Sequence, residues 1–83
     1  MTKQRTEPTL DQPGWYRISI HGYLDMSWSE YLGGLEIRRA STPSNPTVTI
    51  LTGYLLDQAA LFGVLNSLYG LGLPLLSVER LAR

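Results

Sequence analysis

The sequence predicts an α+β fold: a four-stranded, mainly antiparallel sheet carrying one short and one long helix. Three observations predict it. Residues 15–23 (WYRISIHGY) alternate apolar and polar, which is the period of a half-buried strand. Leu61, Val64, Leu65, Leu68 and Leu71 recur at helical spacing and form one continuous stripe. Three further strand-like stretches and one short helical stretch fill the rest, so the order reads β-α-β-β-α-β. The simplest fold of that order is a ferredoxin-like sandwich, with both helices on one face of the sheet. The alternative, if the first helix is too short to recross the sheet, is a three-strand meander followed by helix and strand.

Residues 1–13 are polar and hold Pro8 and Pro13. They have too little apolar surface to offset ordering entropy and are expected to be a flexible N-terminal tail. The expected single domain is 14–83. In the first strand Tyr16, Ile18 and Ile20 face inward, with Arg17, Ser19 and His21 outward. Ser27 and Glu30 then fit a capping box, with Met26 and Tyr31 placed for a hydrophobic staple across it. Gly33 and Gly34 supply a left-handed stop. A helix this short needs tertiary packing, expected through Trp28, Tyr31 and Leu32.

Residues 35–40 (LEIRRA) form the second strand, with Leu35 and Ile37 inward. After a polar loop, STPSNP, residues 47–52 (TVTILT) form the third, with Val48 and Ile50 inward. The short connection implies an antiparallel hairpin. Gly53 ends that strand, and Asp57 caps a long helix running from Gln58 to about Leu71. Gly72 and Pro74 stop it. A fourth strand closes the chain within LPLLSVERL, with Leu76 and Val78 inward.

Eighty-three residues make a small domain, which removes only about 60% of its extended-chain surface from water. Without cysteine the chain has no disulfides, so a partner subunit is the natural source of further buried surface. Seven basic and seven acidic residues balance, leaving no long-range field to gather nucleic acid or anionic lipid. The polar first residues do not read as a signal peptide, and no helical apolar segment reaches the ~20 residues of a membrane span. The expected location is the cytoplasm.

The second half also carries a motif. The run Leu56-Asp57-Gln58-Ala59-Ala60-Leu61, then Gly63, Leu65 and Leu68, then Leu71 through Val78, resembles a family of short uncharacterised bacterial proteins sharing a DQAALxGxL…LGLPLLSV core. Gly22, Leu24, Trp28, Gly34 and Leu35 are similar to the first half of the same family. The resemblance spans roughly residues 15–81. It implies a bacterial protein of this compact type and carries no activity with it. Phe62 stands where the family pattern has His, and Tyr69-Gly70 where a charged pair is usual.

The residues offer little catalytic chemistry. His21 is the single imidazole, with Ser19 and Glu36 or Glu79 as its expected neighbours, and no nucleophile motif accompanies it. One His and scattered carboxylates do not make a zinc site, and no EF-hand loop is present. Gly70-Leu71-Gly72 falls at a helix end, where free carbonyls repel a phosphate. The sheet's other face is expected to carry Arg17, Ser19, His21, Glu36, Arg38, Thr47, Thr49, Ser77 and Glu79. This mixed-charge surface suits cross-strand Arg–Glu pairs better than nucleic acid. No enzyme activity, cofactor, nucleic-acid partner or membrane partner is expected.

The side of the long helix away from the leucines holds Phe62, Asn66 and Tyr69, with Ala59, Gly63 and Gly70 small beside them. Burying a Phe side chain contributes about 1.5–3 kcal/mol, a sizeable part of a small domain's stability. This face either folds under Trp15 or Trp28 or meets another subunit. The leading expectation is therefore a non-enzymatic interaction domain forming a homo-oligomer through Phe62, Asn66, Tyr69, Ala59 and Gly63, or through a sheet edge. The alternative is a small-molecule-binding regulatory module with its ligand at Gly53, Asp57 and Gln58.

Overall fold

The computed structural model describes residues 12–82. The expected tail therefore lies outside the described residues except for Gln12 and Pro13. Four strands, β1 (Gly14–His21), β2 (Glu36–Thr42), β3 (Asn45–Leu55) and β4 (Leu75–Leu81), make one sheet in the order β2-β3-β1-β4. Every neighbouring pair is antiparallel. A 3-10 helix (Met26–Leu32) follows β1, and the long helix α1 (Gln58–Gly70) joins β3 to β4.

These elements bear out the α+β class. Because β1 pairs with β3 and β4 rather than β2, the first three strands do not form a meander. The split order is that of a ferredoxin-like sheet, but the first helix is 3-10 and not α, so the likeness is partial. The 3-10 form also explains how so short an element recrosses the sheet. At ~2.0 Å per residue its seven residues span about 14 Å, against ~10 Å at the α-helical rise.

The cap of this helix is Asp25, not Ser27. The Asp25 carboxylate accepts from both the Ser27 amide and the Ser27 hydroxyl, which fills the role expected of the Ser27–Glu30 box. Gly33 and Gly34 both take positive φ, 74° and 75°, and the Gly34 amide returns to the Ser29 carbonyl. Of the three residues expected to hold the helix down, only Leu32 is buried. Trp28 and Tyr31 are exposed and stack edge-on against each other.

The β2–β3 hairpin is tighter than its six-residue polar linker suggested. Thr42 pairs with Asn45, and the Thr42 hydroxyl accepts the Asn45 amide at 2.9 Å, so only Pro43 and Ser44 remain in the turn. Pro46 is accommodated inside β3 because that end of the strand runs past β1, whose pairing stops at Val48.

Longer pairing also corrects the faces of β3. Ile18 lies opposite Leu51 and Ile20 opposite Thr49, so Thr49, Leu51, Gly53 and Leu55 face the helices. Val48 and Ile50, expected inward, lie on the other face beside His21 and Ser19. Thr47 and Thr49, expected on that outer face, turn the opposite way. Gly53 does not end the strand. It sits within β3 where a β-carbon would meet Leu35 Cδ2 at 2.7 Å, so its missing side chain makes room for a core leucine.

The core lies between the sheet and the helices: Tyr16, Ile18, Ile20, Leu24, Leu32, Leu35, Ile37, Leu51, Leu55, Leu61, Val64 and Leu68. The Asp57 carboxylate caps α1 by accepting the Ala60 amide at 2.8 Å. At the other end Gly72 has φ 77°. Its amide bonds to Tyr69 and that of Leu73 to Leu68, a Schellman stop.

Candidate functional site: an uncovered shelf between α1 and β4

One row of residues crosses the whole sheet on its helix side: Ile37, Leu51, Ile18 and Val78, each opposite the next. The first three are buried, whereas Val78 is 38% exposed. The helix layer stops before β4, because α1 lies against β3 and the 3-10 helix. Leu75, opposite buried Ile20, is likewise exposed, and so is Leu76 at the register shift between them. Leu76 and Val78, expected in the core, are therefore surface residues. Their alternation is that of an inward-facing strand, but no described helix covers them.

The outer side of α1 is exposed as well, and Asn66 and Tyr69 bring it to the groove beside β4. Phe62 is 57% exposed and Tyr69 85% exposed. Ala59, Gly63 and Asn66 are exposed as well, so the five residues expected to share a helix face do share one. A β-carbon on Gly63 or Gly70 would touch nothing within 4 Å, so both leave open space beside the aromatic rings. Neither Trp15 nor Trp28 takes Phe62 in a ring contact. Trp15 stacks edge-on with Tyr54 on the far face, and Trp28 with Tyr31.

Between α1 and β4 runs an apolar groove of about 310 Å³ lined by Leu65, Asn66, Leu68, Tyr69, Leu73, Pro74 and Leu75. It joins the helix face to the edge strand as one shelf. Sequence periodicity missed this continuity, yet a signal for it was present: no residue from Gln58 to Val78 carries a charge. An exposed helix face is normally where charged side chains gather.

The two sheet edges differ sharply. On β2 the exposed Glu36, Arg38 and Arg39 guard the outer strand, with the Arg39 guanidinium 4.2 Å over the Tyr23 ring. The charges of β4 turn back toward β1. Glu79 accepts from Arg17 at 2.7 Å, while Arg80 donates to the Tyr16 hydroxyl at 2.7 Å and to the Pro13 carbonyl at 3.0 Å. The remaining β4 surface is Leu75, Leu76, Ser77 and Val78.

The other candidates are dispersed. Gly53 packs on Leu35, the Asp57 carboxylate accepts the Ala60 amide, and Gln58 begins α1, which is where the structure places the trio expected to hold a ligand. His21 Nδ1 lies 3.0 Å from Asn45 Oδ1, not beside Glu36 or Glu79. Among the described residues, no three His, Asp or Glu side chains gather as metal ligands would. No described helix is long and apolar enough to cross a membrane.

Fold and shelf together define a small α+β domain with one guarded and one unguarded sheet edge. Residues 15–79 match the family model described as a domain of unknown function, DUF8691, and the chain belongs to that family. Neither the curated proteins nor the solved structures provide a match.

Proposed function

We propose that this chain is a non-enzymatic interaction domain that self-associates into a homo-oligomer through the α1–β4 shelf. The supporting observation is the shelf itself: exposed aromatic and leucine side chains, contiguous across a helix and an edge strand and free of charge from Gln58 to Val78. A contiguous apolar surface of this kind marks an association site more often than a solvated face. The balanced charge of seven against seven adds no net repulsion between copies.

Sedimentation velocity on the full chain tests the reading. An oligomer at micromolar concentration is expected, and Phe62→Asp is expected to shift it to monomer with unchanged circular dichroism. A strictly monomeric wild-type chain removes the proposal.

A further inference from the structure

We infer that two copies join edge to edge through β4, antiparallel and centred on Ser77, so that the two sheets become one eight-stranded sheet. The inference rests on the self-association reading and gives it a geometry and a partner, a second copy of this chain.

The backbone supplies the first argument. The His21 amide donates to the Pro74 carbonyl at 2.9 Å, so His21 turns its polar groups toward β4. Alternation along β1 then turns those of Ser19 and Arg17 the same way, and their partners Ser77 and Glu79 turn back toward β1. Val78 and Arg80, between and beyond them, direct their amides and carbonyls away from the sheet. An edge strand with such outward groups and apolar side chains is a template for another strand.

Self-complementarity supplies the second. Two-fold pairing keeps each side chain on its own face only if the axis passes through a residue, which leaves three central registers. One centred on Glu79 sets two carboxylates directly opposite, which is destabilising. One centred on Val78 sets Val78 against Val78 but Leu76 against Arg80. One centred on Ser77 sets Val78 of each copy against Leu76 of the other and leaves Glu79 with Arg17 and Arg80 with Tyr16. The last sets two Val78–Leu76 pairs beside the axis, against the single Val78–Val78 pair of the Val78 register, and brings Leu75 opposite Glu79 only toward the ends of the seam.

Size agrees. At their exposures Phe62 and Tyr69 offer roughly 300 Å², taking ~150–250 Å² for a fully buried aromatic. Leu75, Leu76, Val78 and the edge backbone bring the shelf to the order of the ~800 Å² that each partner gives a standard interface. The β2 edge, with Glu36, Arg38 and Arg39, has no comparable surface.

The chain has no cysteine, so single cysteines report on geometry without background. Ser77→Cys, Arg38→Cys and Phe62→Cys are each oxidised in the full-length chain. At the two-fold axis the paired Cα atoms lie about 4.5 Å apart, within disulfide reach. Ser77→Cys is expected to form a covalent dimer in a yield that survives tenfold dilution, and Arg38→Cys to stay uncrosslinked. Leu76→Lys, at an exposed position, is expected to weaken dimerisation at least tenfold with unchanged circular dichroism. A chain that sediments as a dimer but crosslinks through Phe62→Cys and not Ser77→Cys overturns the edge pairing and leaves self-association standing. A monomeric chain overturns both, as does a monomer that co-floats with phosphatidylcholine–phosphatidylglycerol vesicles, which would assign the shelf to lipid.

Discussion

Thr49 donates its hydroxyl to the Gly22 carbonyl at 2.6 Å from a side chain with no exposed surface. The acceptor is held in place: Gly22 takes φ 108° and its amide bonds to Thr47, so this carbonyl cannot easily turn to water. Replacing Thr49 with Val keeps the shape and leaves a part-buried acceptor without this donor. Thr49→Val is expected to cost about 1–3 kcal/mol in urea denaturation, with an unchanged m-value. Equal stability would mean that the carbonyl finds another donor.

The same threonine shows why part of the fold was legible in the sequence and part was not. The caps of α1, its buried Leu61, Val64 and Leu68, and the inward set of β1 all follow from local spacing and local chemistry. In β3 both faces hold apolar residues, Val48 and Ile50 on one, Leu51 and Leu55 on the other, so alternation alone does not choose. The choice rests on long-range facts: a hydroxyl satisfied by Gly22 and a glycine vacating space for Leu35. For β4 the alternation holds at Val78, opposite Ile18, and is interrupted by the register shift at Leu76. Periodicity in any case reports which side is apolar and not whether a helix reaches it. The helix-face half of the candidate site was readable from Phe62, Asn66 and Tyr69. The β4 half depended on where α1 lies.

Arg17 and Glu79 form the cross-strand ion pair that the mixed-charge face suggested, at 2.7 Å. Both side chains are about half exposed, 44% and 51%, so water and salt screen the attraction. A double-mutant cycle with Arg17→Ala and Glu79→Ala is expected to give a coupling of only ~0.2–1 kcal/mol, smaller at high salt. A coupling insensitive to salt would show a drier pair than this geometry provides.

Asp25 should titrate below the usual aspartate value. The main cause is its bond from the Ser27 hydroxyl, followed by that from the Ser27 amide, with a lesser contribution from Arg39. Since the folded value lies below the unfolded one, ionised Asp25 favours the fold at every pH above the ordinary aspartate value. The contribution fades as pH falls from there through the lowered folded value. NMR titration of the Asp25 carboxyl is expected to show the depressed midpoint, and Asp25→Asn to flatten the acid limb of the stability curve. An ordinary midpoint would mean that the Ser27 bonds do not persist in solution.

Leu68 and Phe62 lie on opposite sides of α1 and should separate folding from association. Leu68 is buried in the core cluster, and truncation there removes apolar contacts and leaves a cavity, so Leu68→Ala is expected to cost ~2–5 kcal/mol. Phe62 is more than half exposed in the single chain, so Phe62→Ala should change the stability of the dissociated chain by no more than about 0.5 kcal/mol. The same change should weaken association by about 2 kcal/mol or more if the ring is an anchor at the centre of an interface. Denaturation at high dilution isolates the first effect, and sedimentation equilibrium the second. A Phe62→Ala chain that loses several kcal/mol when monomeric would place the ring in the fold and remove it from the shelf. One that associates as tightly as the wild type would move the contact wholly to the β4 edge.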